Sequence, residues 1–193
     1  VETGELNIAG GLQDRVIQVY EGLVFMDFAA DHCRMIDDLE CGVYEPIDPS
    51  LLPPLYVAYS SEAGEPTERT HGPLRQRFAS GEAAVVNAMQ RFAEITDDAR
   101  VALLAGDHVR FSELVDENFN LRRSICDLSP THLAMIEAAR RAGCSAKFAG
   151  SGGAIVGVLP DLNHWPKLVE ELTAIGCDVI RPCITQTETR SDC

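Results

Sequence analysis

The segment Ala146-Lys147-Phe148-Ala149-Gly150-Ser151-Gly152-Gly153-Ala154 sets short apolar runs on either side of a cluster of glycines. Ala146 to Ala149 and Ala154 to Leu159 predict two strands joined through Gly150-Ser151-Gly152-Gly153. Glycine reaches positive φ without a Cβ penalty and lets backbone N–H groups come close to a ligand. A plain hairpin turn carries the same signature. Two nucleotide loops are excluded. No Gly-Lys-Ser/Thr follows, as a Walker loop requires, and a strand rather than a helix comes next, against the dinucleotide fingerprint.

Working outward, Ser129-Pro130 starts a helix, with a cap followed by proline in the first turn, and Gly143 closes it. Downstream, Asn163 to Gly176 predicts a helix with Leu168, Leu172 and Ile175 inward, followed by a strand through Asp178-Val179-Ile180. The order α-β-β-α-β is that of most of a ferredoxin-like layer, so the expected fold is α+β, an antiparallel sheet covered by helices. Upstream, Glu82 to Ala105 predicts a long helix, and Gly106-Asp107 supplies a stop and a new cap. The next helix, Asp107 to Ser124, has an apolar stripe of Phe111, Leu114, Val115 and Ile125, into which Asn118 and Arg122 fall. Polar groups placed for burial are either hydrogen-bonded by neighbouring elements or presented to a ligand.

Leu23 to Phe28 and Leu55 to Tyr59 predict strands, the second entered through Pro53-Pro54, with an irregular acidic stretch between them. Near the start, Leu12, Val16, Val19, Tyr20 and Leu23 recur at helical spacing, which puts Asp14, Gln18 and Glu21 on the opposite face.

The 193 residues carry 16 Lys plus Arg against 30 Asp plus Glu, a formal net charge of −14. Neither nucleic acid nor an anionic membrane is an expected partner of such a surface. A local pocket of N–H groups and a few basic side chains can still bind an anion. The seven cysteines form no C-x-x-C pair and are odd in number, so neither a zinc site nor a closed disulfide framework is expected. A reducing cytoplasm fits them. No apolar run approaches bilayer length, and no targeting segment is read in the first residues.

The glycine segment resembles the third signature motif of GHMP kinases, typically K-x-T-G-S-G-G-G, with Ala149 in place of the usual Thr and Ala154 in place of a frequent fourth Gly. Gly11-Leu12-Gln13-Asp14-Arg15-Val16, with Gln18-Val19-Tyr20 and Gly22-Leu23-Val24, is similar to a segment of glucuronokinases and heptose kinases. Tyr44 to Tyr56, Leu74-Arg75-Gln76-Arg77-Phe78 and Asn118-Phe119-Asn120-Leu121-Arg122-Arg123 resemble the glucuronokinase branch specifically.

That resemblance implies phosphoryl transfer from ATP, with Mg²⁺, to the anomeric hydroxyl of D-glucuronate. Asp14 matches the aspartate that the family places beside the accepting hydroxyl, as base or as orienting group. Gly150, Ser151, Gly152 and Gly153 would offer loop N–H groups to phosphate. Asn118, Arg122 and Arg75 are candidates for the sugar pocket, an Arg pairing with the uronate carboxylate, and Arg77 is a further option. Lys147 reads equally as a phosphate ligand or a strand-edge lysine. No protein metal site is expected.

The family's ATP-binding loop, P-x-x-x-G-L-G/S-S-S/A, is not found in this chain. The expected organisation is therefore a remnant of the N-terminal kinase domain over residues 1–28, the GHMP C-terminal domain over 29–184 and a polar tail over 185–193. The isolated chain is expected to be inactive. Three points stay open: a heptose or other neutral sugar as substrate, a non-catalytic metabolite-binding module, and a homodimer through exposed apolar residues.

Overall fold

The structure is a computed structural model that describes residues 12–29, 31–36, 39–60, 67–150 and 152–184. Two compact units divide it. One comprises Val1–Leu51 with Cys183–Cys193, the other Leu52–Pro182.

In the first unit, helix α1 (Leu12–Tyr20) leads into strand β1 (Leu23–Asp27), and strands β2 (Arg34–Ile36), β3 (Leu39–Cys41) and β4 (Val43–Ile47) follow. Glu21 and Gly22, at φ 54° and 62°, turn the chain between α1 and β1. β1 and β4 pair antiparallel from Leu23–Ile47 to Asp27–Val43, while β2 and β3 form their own antiparallel pair. The stretch expected to be irregular thus contains three strands. Its alternation is broken by Gly42 and by acidic residues, which hides the period-2 signal. Tyr44 organises the unit by packing edge-on against Tyr20 and Phe28, and its hydroxyl accepts the Gly42 N–H at 2.9 Å. β1 pairs with β4 within this unit, which runs on to Leu51. The tail over 185–193 lies outside the described residues.

The second unit begins with β5 (Leu55–Tyr59) and continues through helices α2 (Thr67–Ala79), α3 (Ala83–Leu104), α4 (His108–Ile125) and α5 (Pro130–Arg141). Strands β6 (Lys147–Phe148) and β7 (Ala154–Val158) come next, then α6 (Trp165–Thr173) and β8 (Asp178–Ile180). The sheet order is β6-β7-β5-β8 and every neighbouring pair is antiparallel. This is the ferredoxin-like arrangement expected from the element order, with β5 as its first strand. Helix α6 is shorter than expected. Pro166 lacks an N–H and belongs in a first turn, so the α-helix starts at Trp165 after a 3-10 turn.

Alternation along the strands sends Phe148, Ile155, Tyr56 and Ala58 into one core with Phe119 of α4, Met135, Ile136, Ala138 and Ala139 of α5, and Leu168 and Leu172 of α6. A smaller cluster of Ile95, Ala102 and Leu114 joins α3 to α4. Ion pairs tie these helices to the loop-bearing strands. Asp116 Oδ1 accepts Arg140 Nε at 3.0 Å and Nη2 at 2.8 Å, together with the Ala146 N–H at 3.1 Å. One carboxylate thereby fixes α4, α5 and the entry to β6.

Candidate active site

The glycine loop leaves β6 at Phe148 and re-enters the sheet at Ala154, with the Ala149 N–H donating to the Ala154 carbonyl at 3.0 Å to close its neck. Gly152 and Gly153 take φ 153° and 77°, which only glycine adopts without strain. The Gly153 carbonyl accepts the Ser60 N–H at 3.0 Å, joining the loop to the end of β5. Ser151 lies outside the described residues.

Two helices reach the loop. From α4, Arg122 Nη1 donates to the Gly150 carbonyl at 2.7 Å, and its guanidinium lies 5.0 Å from the centre of the Phe148 ring. From α5, His132 Nε2 accepts the Gly153 N–H at 3.0 Å. Among the described residues, the N–H groups of Gly150 and Gly152 meet no acceptor. The Gly153 amide, expected to serve phosphate, is engaged by His132 instead. Gly153 therefore shapes the loop, and the amides left for an anion are those of Gly150 and Gly152.

Lys147 is half-buried and donates from Nζ to the Phe148 carbonyl at 3.1 Å. Burial, and then the Arg122 charge, pull its ammonium below the ordinary lysine value. Burial likewise lowers Arg122, which as a guanidinium stays cationic. An acidic protein thus concentrates two cations beside its glycine loop, a setting that suits an anion.

Asn118 is half-buried on α4, one turn before Arg122. Arg75 is exposed on α2, and among the described residues no hydrogen bond or ion pair joins it to the loop. Arg77 donates through Nε and Nη2 to the two Glu82 oxygens at 2.8 and 2.7 Å, and through Nη1 to the Ile125 carbonyl at 2.6 Å. It clamps α2 to the start of α3 and the end of α4. Asp14 is exposed on α1 in the first unit, opposite the buried Val16; Val19, expected on the packing seam, is 79% exposed. His132 was missed because no motif marks it. The available signal was helical spacing, which sets it on the apolar face of α5 with Met135, Ile136 and Ala139.

Residues 99–176, which include α4, α5 and the whole glycine loop, match the family model described as GHMP kinases C terminal. The chain carries a GHMP kinase C-terminal domain. Glucuronokinase 1 of Arabidopsis thaliana is 41% identical over 170 residues, covering 86% of this chain and 46% of that protein. Probable glucuronokinase 2 of the same plant is 40% identical over 171 residues, with the same shares. The chain therefore spans about half the length of the curated relatives it matches. Among solved structures, L. major mevalonate kinase in complex with R-mevalonate superposes with a TM-score of 0.72 at 19% identity, over 94% of this chain and 56% of that one. Lactococcus lactis galactokinase complexed with galactose gives 0.66 at 14% identity, over 95% and 56%. At such identities these two report the fold of the GHMP domain alone. Among the described residues, no helix is long and apolar enough to cross a membrane.

Proposed function

We propose that this chain belongs to an enzyme that transfers the γ-phosphoryl of ATP to the anomeric hydroxyl of D-glucuronate, giving the sugar 1-phosphate and ADP. The observation that carries the proposal is the 41% identity to glucuronokinase 1 across 86% of the chain. The residues present fit a polyphosphate. The Gly150 and Gly152 amides meet no acceptor among the described residues, and Lys147 and Arg122 supply positive charge beside them. Mg²⁺ in this reading enters with the nucleotide phosphates, as is usual for that ion.

In this scheme Asp14 takes the proton of the anomeric hydroxyl while the oxygen bonds to phosphorus and the bridging bond to ADP breaks. Phosphoryl transfer depends chiefly on positioning and charge stabilisation, so Asp14 contributes as much by orienting the hydroxyl as by accepting its proton. Gly150, Ser151, Gly152 and Gly153 form the phosphate loop. Arg122 meets the uronate carboxylate at the loop's edge, with Asn118 beside it on α4 contacting sugar hydroxyls and Arg75 a more distant contributor. Six free cysteines among the described residues support a cytoplasmic setting. Exposed Val19 and Tyr20 on α1 support a homodimer.

The test is Asp14→Asn in the complete enzyme. We expect kcat to fall by about 100-fold or more, with the KM for ATP little changed, in a coupled assay of ADP release. A near-normal kcat removes Asp14 from the chemistry.

A further inference from the structure

His132 occupies the third position of α5, behind the Ser129 cap and Pro130, and its ring is 4% exposed. It packs edge-on against Phe148, ring centres 5.5 Å apart, and Phe148 packs in turn on Phe119 at 5.4 Å. The ring is therefore held by α4, α5 and β6 together. The glycine loop lies directly on it. A Cβ built on Gly152 would fall 2.4 Å from His132 Cε1, and the Gly153 N–H points at Nε2 from 3.0 Å. A nitrogen that accepts carries no proton, so the imidazole presents Nε2 as an acceptor to the loop.

A peptide group is planar, so directing the Gly153 N–H at His132 fixes the whole 152–153 unit. A pair of glycines would otherwise leave that unit free to rotate. At the loop's other end, Arg122 holds the Gly150 carbonyl. The Gly152 amide thus sits between two anchored points, and the Gly150 amide between the Arg122-held carbonyl and the Ala149–Ala154 neck. We propose that His132 is a positioning residue of the phosphoryl-transfer reaction: by accepting the Gly153 N–H, it locks the glycine loop so that its remaining amides meet the transferring group without reorganising. The inference rests on the role given to the loop under the proposed function. Preorganised donors lose their catalytic value when they must reorient during the reaction, so kcat carries the effect and the substrate KM does not.

Two substitutions in the complete enzyme separate the acceptor from the ring. His132→Phe keeps a flat aromatic against Phe148 and removes the acceptor, whereas His132→Gln places an amide oxygen at the reach of Nε2. Two readouts are taken for each: amide hydrogen exchange at Gly153 by ¹⁵N NMR, and steady-state kinetics with ATP and D-glucuronate. For His132→Phe we expect Gly153 to exchange about 10-fold faster and kcat to fall about 10- to 100-fold, with the sugar KM within about twofold. His132→Gln should bring both back to within about threefold of the unaltered enzyme. Unchanged Gly153 exchange in His132→Phe overturns the anchor. Faster exchange with unchanged kcat overturns the positioning role and the catalytic reading of the loop with it. A fall in kcat that Gln fails to rescue, although Gly153 protection returns, also overturns it. The exchange measurement needs no turnover, so inactivity of the unaltered enzyme toward D-glucuronate counts against the proposed function while Gly153 still decides the anchor.

Discussion

Tyr56 shows what single residues contribute beneath the loop. Its ring is fully buried, its hydroxyl donates to the Ser145 carbonyl at 2.9 Å, and burial pushes the phenol far above its ordinary value. Gly157 runs so close beside this contact that a Cβ there would fall 1.8 Å from the Ser145 oxygen. Removing the hydroxyl leaves a buried carbonyl without its donor, so Tyr56→Phe should lower stability by about 1–3 kcal/mol in urea unfolding. An unchanged midpoint would mean that water replaces the hydroxyl. Not every residue of the site could be read from sequence. Asp14 could be placed on the face away from its helix's apolar residues because α-helical periodicity is local. His132 could not be joined to Gly153, because the two stand 21 positions apart and are brought together only by the turn from α5 into β6. Arg77 could be read only as an option for the substrate carboxylate, because its contacts with Glu82 and the end of α4 depend on folding.

Elements were legible where the pattern was strong. β5 and β8 fall on the residues expected, and β7 is one residue shorter at its end, because alternating or continuously apolar runs bounded by Pro or Gly have few other solutions. The helix ends at Asp107 and Ser129 were legible as caps, and both side chains do cap. Asp107 Oδ1 accepts the Arg110 N–H at 2.9 Å, and Ser129 Oγ accepts the His132 N–H at 3.3 Å. The Ser129 cap fixes the first turn of the helix that carries His132. Ser129→Ala should cost about 1 kcal/mol by thermal unfolding, and a loss near zero would show that Pro130 alone sets the helix start. Helix α2 was legible only as a motif, since Gly72-Pro73 interrupts its sequence. The small strands β2, β3 and β4 were missed because three- and five-residue strands broken by glycine and acids give periodicity too little length to register.

At the scale of the molecule, the formal charge of −14 and the cationic loop are compatible because they act at different distances. Net charge sets what the surface attracts over a Debye length, while Lys147, Arg122 and unengaged backbone amides act within a few ångströms. The ferredoxin-like unit was legible from element order, yet its partner unit was not, because the pairing of β1 with β4 crosses a stretch without a clear pattern. The GHMP C-terminal match covers residues 99–176, and the 41% identity to glucuronokinase 1 covers 86% of this chain and 46% of that relative. The measurement that bears most directly on the central claim is the product formed by the complete enzyme. Incubated with ATP and either D-glucuronate or neutral sugars, including a heptose, it should release one ADP per D-glucuronate 1-phosphate by ³¹P NMR, with neutral sugars about 100-fold poorer in kcat/KM. Turnover of a neutral sugar at a comparable or higher rate, or no phosphorylation of D-glucuronate at all, would contradict it.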